Sequence, residues 1–195
     1  MAARESNRRG EGDHLRAELV RAATELLLAP QGLAAPSLRA IARECGVSPS
    51  AVYLHFDSQE ALIAAVVDAQ YVELATALAA VDRPRAAPLV RLHALARAYA
   101  TWGIEHPGAY QLLFESADSL PSAGQGSAVG SGLMVQVAEL VRACGVTRTD
   151  DSVRRSQRMW VALHGLVSLR IHKPQASWAA SAQADAVALV DSLLP

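Results

Sequence analysis

SLRAIARECGVSPSAVYLHF, residues 37–56, is the stretch whose reading decides the fold of this chain. Ile41 and Ala42 share one face of a helix that opens at Ser37, and Ala42 is small enough for another helix to come close. Gly46, four residues on, can take the left-handed conformation that ends a helix sharply. Val47 seals the turn. Ser48 then caps a further helix, Pro49 suits its first position, and Val52 points back into the pair. A small residue, a turn glycine and an aliphatic at this spacing outline a helix-turn-helix. Such a unit exposes the N-terminal face of its second helix, which fits a major groove.

Working outward, Leu15, Leu19, Ala22, Ala23, Leu26 and Leu27 recur at helical spacing from Asp13, the expected cap. Residues 1–12, with Arg4, Arg8 and Arg9, read as a flexible arm, and APQG at 29–32 stops the first helix. Downstream, DSQE at 57–60 reads as a capping box, with Asp57 as cap and Glu60 three residues on, opening a helix to about Ala80. DRPRAAP at 82–88 breaks the chain. A helix over 89–105 closes at HPGAY, and Pro107 opens another with Tyr110, Leu113 and Phe114. Residues 118–132 read as a Gly/Ser-rich loop. Helices follow over 133–144, 150–172 and 177–194. No alternating strand and no internal repeat appears. The expected fold is all-α, about nine helices, with a DNA-binding domain at 13–58 and a helical domain at 59–195.

Composition narrows the class. The chain has 195 residues, 51% hydrophobic, with a net charge of −1, so bulk charge announces neither nucleic acid nor membrane. Arg supplies all but one of the 18 cationic residues, Lys173 being the only lysine. That bias matches both phosphate-gripping forks and plain genome composition. Cys45 and Cys144, each just before a glycine in an apolar helical pattern, read as buried structural thiols, too few for a disulfide framework or a zinc site. No apolar run reaches the roughly 18 residues that span a bilayer, and the polar N-terminus lacks a signal core. A cytoplasmic protein is expected.

On the second helix of the motif, the outward face presents Ser48, Pro49, Ser50, Ala51 and Tyr53. Hydroxyls there can reach phosphates or base edges. Ser37, capping the preceding helix, can meet a phosphate through the free N–H groups behind it, with Arg39 alongside. No Arg, Asn or Gln lies on that second helix. Base reading is therefore limited, and methyl contacts and DNA shape carry part of any specificity.

The same residues resemble the TetR family of transcriptional regulators. The likeness spans 37–62, SLRAIARECGVSPSAVYLHFDSQEAL, with the preceding helix in place. Tyr53, His55, Phe56, Glu60 and Leu62 fall where the family's motif has them. The resemblance implies that Tyr53 and His55 contact phosphates and that Phe56 anchors the third helix against the fourth. Gln59 stands where the family usually has a phosphate-touching lysine, and Ser50 replaces a common glycine. Residues 1–60 also hold seven Arg against eight Asp and Glu, which predicts weaker, less salt-sensitive DNA binding than a basic domain shows.

In the C-terminal half, VRRSQRMWVALHGLVSLRIH is apolar around much of its circumference. Trp160, His164, Val167 and Ile171 line one side; Met159, Leu163, Leu166 and Arg170 line another. Such a helix buries two faces. With a partner stripe of Trp178, Ala182, Ala186, Leu189 and Leu193, it suits a two-fold four-helix interface between subunits. WVALHG at 160–165 resembles the Trp-His-Gly signature of one C-terminal subgroup of the family. Resemblance also implies an effector cavity, with Tyr99, Trp102, Tyr110, Phe114, Trp160 and His164 as candidate lining for a lipophilic or aromatic small molecule. Each of these is equally at home as core, and His164 as a satisfied buried histidine.

No metal spacing, nucleophile elbow or phosphate loop appears; GQGSAVGSG lacks the Lys-Ser/Thr ending. No enzyme, cofactor or metal is expected. The expectation is a homodimeric, ligand-responsive DNA-binding regulator, a repressor that leaves a palindromic operator when its effector binds. The rival is a helical small-molecule-binding or interaction protein that has lost specific DNA binding.

Overall fold

The computed structural model describes residues 11–28, 35–116 and 127–194. Among these lie nine α-helices and no strand: α1 Glu11–Leu27, α2 Leu38–Glu44, α3 Pro49–Tyr53, α4 Gln59–Val81, α5 Pro88–Glu105, α6 Pro107–Phe114, α7 Ala128–Ala143, α8 Thr149–His172 and α9 Ala182–Leu193. The chain packs as two units, residues 1–69 with 111–125, and residues 70–110 with 126–195. The division falls inside α4 and inside α6, so both helices contribute to each unit.

In the first unit, α1 packs on α2 and α2 on α3. Leu19, Ala22, Ala23 and Leu27 of α1, Ile41 and Ala42 of α2, Val52 of α3, and Leu62, Ile63, Val66 and Val67 of α4 are buried. Apolar spacing on α1, α2, α3 and the start of α4 is thus spent on one small core, on which α3 is seated by Val52. Gly46 has φ +66°, the left-handed turn the sequence called for.

In the second unit, α5 packs chiefly on α9, α7 on α8, and α8 on α9. Where α5 meets α8, a Cβ on Gly103 would lie 2.6 Å from Val167 Cγ1 and 2.8 Å from Tyr110 Cδ2, so only glycine permits this approach. The turn at 82–87 is tied down. Arg91 Nε and Nη2 donate to the two carboxylate oxygens of Asp82 at 2.7 and 2.8 Å, and Gln136 of α7 adds a bond at 3.2 Å.

Several boundaries differ from the sequence reading. The first helix begins at Glu11, so Asp13 sits in its opening turn rather than capping it. The cap of α4 is Ser58, whose Oγ accepts from Ala61 N at 3.1 Å, not Asp57. The segment read as a loop to residue 132 is helical from Ala128, capped by Ser127. Gly130 lies there not to loosen the chain but to let α7 meet Tyr71, whose Cε1 is 2.8 Å from where a Cβ would stand. The arm at 1–12 and the APQG stop fall almost wholly outside the described residues, as does 118–126 of that loop. The last helix begins at Ala182, capped by Ser181, because that hydroxyl bonds Ala184 N. Trp178 therefore precedes it, with the Arg170 guanidinium 4.3 Å from its ring.

Two further expectations change. Cys45 and Cys144 are half-buried, and desolvation raises both thiols above their ordinary pKa, so neither is an activated nucleophile. Helix α4 does have the length and apolar composition of a bilayer-crossing segment, despite the charges that interrupt it. Its Leu62, Ile63, Val66, Val67, Leu74 and Leu78 are spent on protein core, with Gln70 buried among them.

Candidate nucleic-acid interface

The turn that presents α3 is held by backbone and cap together. Val47 N bonds Ala42 O at 2.9 Å and Gly46 N bonds Arg43 O at 3.2 Å, closing α2. Ser48 Oγ accepts from Ala51 N at 3.3 Å and pairs with Ser50 Oγ at 2.9 Å. The pivot is apolar: Val52 and Phe56 are buried, and the Arg16 guanidinium sits 4.9 Å from the Phe56 ring centre.

Around that pivot, Ser48, Pro49, Ser50 and Tyr53 are exposed, Tyr53 at 55%. Ala51 and His55 are half-buried, and Gly12 of α1 approaches within 3.8 Å of the His55 ring where a Cβ would stand. Ser37 caps α2 through Ala40 N at 3.2 Å. Arg39 and Arg43 are exposed, and neither makes an ion pair among the described residues. The eight residues singled out for DNA contact thus all belong to the first unit, on and beside one short helix.

Gln59 has a different task from a phosphate contact. Its amide Nε2 donates to Ala35 O and Pro36 O, both at 2.9 Å, fastening the segment before α2 to the start of α4. Glu60, next along, is held below the usual carboxylate range by its own backbone N–H and by the Ser58 hydroxyl. Nothing in the sequence marks Gln59 for this task; there it reads only as a missing lysine. Leu54, the C-cap of α3, stands beside this face at 83% exposure.

The second unit brings three of its candidate residues together. Tyr99 Oη and Tyr110 Oη are 3.0 Å apart, and Tyr110 Oη lies 2.7 Å from His164 Nδ1. The Tyr99 and Tyr110 rings meet edge to face at 6.0 Å, and Tyr110 stacks with His164 at 5.5 Å. Trp102 is separate from that chain and stacks on His106 at 5.4 Å. It lines an open cavity of about 570 Å³ with Ala77, Val81, Ala94 and Ala98, rimmed by Arg97, Glu105 and His106. Of the six candidate lining residues, Trp102 is the one on that cavity. Trp160 is 43% exposed on α8, and half-buried Phe114 belongs to the first unit.

Comparison with known proteins places both halves. Residues 19–66 match the model for bacterial regulatory proteins of the tetR family, and residues 92–193 match the tetracyclin repressor-like C-terminal domain. No curated protein matches the sequence. Similar solved structures include SCO4313, assigned as a regulatory protein, at 22% identity and TM-score 0.72, covering 97% of this chain and 99% of that one. A transcriptional regulator from Rhodococcus sp. RHA1 superposes with TM-score 0.69 at 17% identity, over 91% and 95% of the two chains. The fatty acid degradation regulator FadR from Bacillus halodurans does so at 0.66 and 14%, over 92% and 94%. At these identities the likeness is one of fold.

Proposed function

The chain belongs to the TetR family, whose members are DNA-binding transcription regulators and not enzymes, and from that premise we propose a ligand-responsive repressor acting as a homodimer. Residues 13–58 bind DNA, and residues 59–195 take the effector and pair the subunits. Each subunit lays α3 in the major groove of one half-site of a palindrome, with half-sites about 34–36 Å apart. Tyr53 and His55 meet phosphates beside Ser37, Arg39, Ser48, Pro49, Ser50 and Ala51. A partner for this chemistry is chromosomal DNA, which puts the protein in the cytoplasm.

The observation that carries the reading is the exposed outer face of α3 on a buried Val52–Phe56 pivot. Pairing through α8 and α9 is supported by large apolar side chains left in solvent on α8, Val153, Trp160, Val161 and Leu169. Effector binding is supported by the hydroxyl–hydroxyl–imidazole chain of Tyr99, Tyr110 and His164 and by the Trp102 cavity. Few polar groups on an otherwise apolar surface favour a small lipophilic or aromatic molecule. An effector that prefers the DNA-incompetent state weakens operator affinity by that preference and no more.

One observation favours the rival. The Gln59 amide is committed to Ala35 and Pro36, so the family's usual cation at that place is absent. A gel-shift with DNA flanking the chain's own gene separates the two readings. Specific retardation that disappears in Tyr53→Ala supports the repressor. No retardation even at low salt supports a helical binding protein that no longer reads DNA.

A further inference from the structure

We infer that Leu54 is a specificity residue that reads a thymine 5-methyl group in the major groove. This rests on the DNA-binding reading above and deepens it. The outward face of α3 consists of Pro49, Ser50, Tyr53 and Leu54, all exposed, opposite the buried Val52. Leu54 has φ −72° and ψ −17°, so the helical path continues through it and its side chain stands one turn beyond Ser50. Its backbone is pinned: His55 N and Phe56 N both bond Val52 O, at 2.9 and 3.0 Å.

An isolated leucine on a surface needs no explanation. Leu54 is not a lone case here: Tyr53, next to it in the chain, is 55% exposed, and Ser50, one turn back, is exposed as well. What that face lacks is equally informative. Bidentate reading of guanine or adenine needs Arg, Lys, Asn or Gln, and α3 holds none. The Ser50 hydroxyl is already paired with Ser48, which in turn caps the helix. Tyr53 can donate to a phosphate or a base edge but discriminates poorly between bases alone. Of the apolar groups left on that surface, Pro49, half-buried Ala51 and Leu54, the isobutyl of Leu54 is the largest and stands 83% exposed, and its complement in the groove is the thymine methyl. Burying that methyl against leucine is favourable on both sides of the contact.

Replacing thymine by deoxyuracil removes the methyl and leaves every hydrogen-bonding group in place, which gives a direct test. The full-length protein is used to enrich a duplex from a random pool, and each thymine of a half-site is then exchanged for deoxyuracil. At one position affinity falls by about fourfold per half-site, as loss of one buried carbon of about 0.8 kcal/mol implies where tenfold is 1.4. In Leu54→Ala that same exchange changes affinity by less than about 1.5-fold while other positions behave as before. The thermal midpoint of Leu54→Ala stays at the wild-type value, since the side chain has little to lose from burial. An enriched duplex with no uracil-sensitive position, or sensitivity that persists in Leu54→Ala, overturns the assignment while leaving DNA binding intact. Failure to enrich any duplex instead overturns the DNA-binding reading beneath it.

Discussion

Three side chains show how single residues set the behaviour of the first unit and the edge of the second. Gln59 occupies a place where a cation would serve phosphate, yet its amide holds two carbonyls instead. Gln59→Ala should therefore lower stability in urea unfolding by about 1–2 kcal/mol, the worth of two such bonds. Operator affinity should fall, while the slope of log affinity against log salt stays unchanged, because no phosphate contact is lost. A slope flattened by about one unit would mean Gln59 touches DNA. Asp82 gives a pH signature. Hydrogen bonds from Arg91 hold its carboxyl below the usual range, against the opposing pull of burial. A carboxyl depressed in the folded state contributes stability that is whole above its unfolded value of about 3.9 and is lost as pH falls through the folded value. Asp82→Asn should thus cost stability at neutral pH and give a shallower fall between about pH 4 and the depressed value, read by urea unfolding at stepped pH. The third, Ser58, shows the reach of a sequence argument. The DSQE pattern located the helix start correctly, but two adjacent residues could each cap it, and only three-dimensional placement chose Ser58 over Asp57.

At the scale of elements, the sequence was most legible where one residue type has one use. Gly46, Ser48 and Pro49 specify a turn, a cap and a first helical position, and the chain does each of these things. Legibility failed where a residue has two uses. Gly130 and Gly132 read as loop formers, yet they lie within α7, where one of them admits Tyr71. The aromatic candidates carry the same ambiguity. Aromatic residues fill cores and line cavities alike, and Trp102, Tyr110 and Trp160 have gone to a cavity wall, a buried hydrogen-bond chain and an exposed helix face. That exposed face of α8 supplies its own prediction. Val153, Val161 and Leu169 stand at multiples of four with Gly165 between the last two, a ridge suited to another helix. A Cβ at Gly165 meets nothing within 4 Å. Gly165→Leu should leave helix content by circular dichroism unchanged and shift sedimentation equilibrium towards monomer. A variant as dimeric as wild type would put the subunit contact elsewhere.

At the scale of the whole molecule, the proposed dimer joins a short reading helix to a second copy of itself. Two reading heads carried by one dimer must find their half-sites on the same face of the duplex, and that geometry is more demanding than any single contact. A helix-turn-helix monomer would tolerate any spacing, and a protein that has lost DNA recognition would ignore sequence altogether. The most direct measurement is fluorescence anisotropy of the full-length protein on its enriched palindromic duplex, compared with the same duplex carrying a five-base-pair insertion at the dyad. Half a helical turn, about five base pairs, moves the half-sites to opposite faces. The expected result is two subunits per parent duplex and an affinity lower by about a hundredfold on the inserted one, towards the level of non-specific binding. Equal affinity for both duplexes, or binding of a single subunit to each, would contradict it.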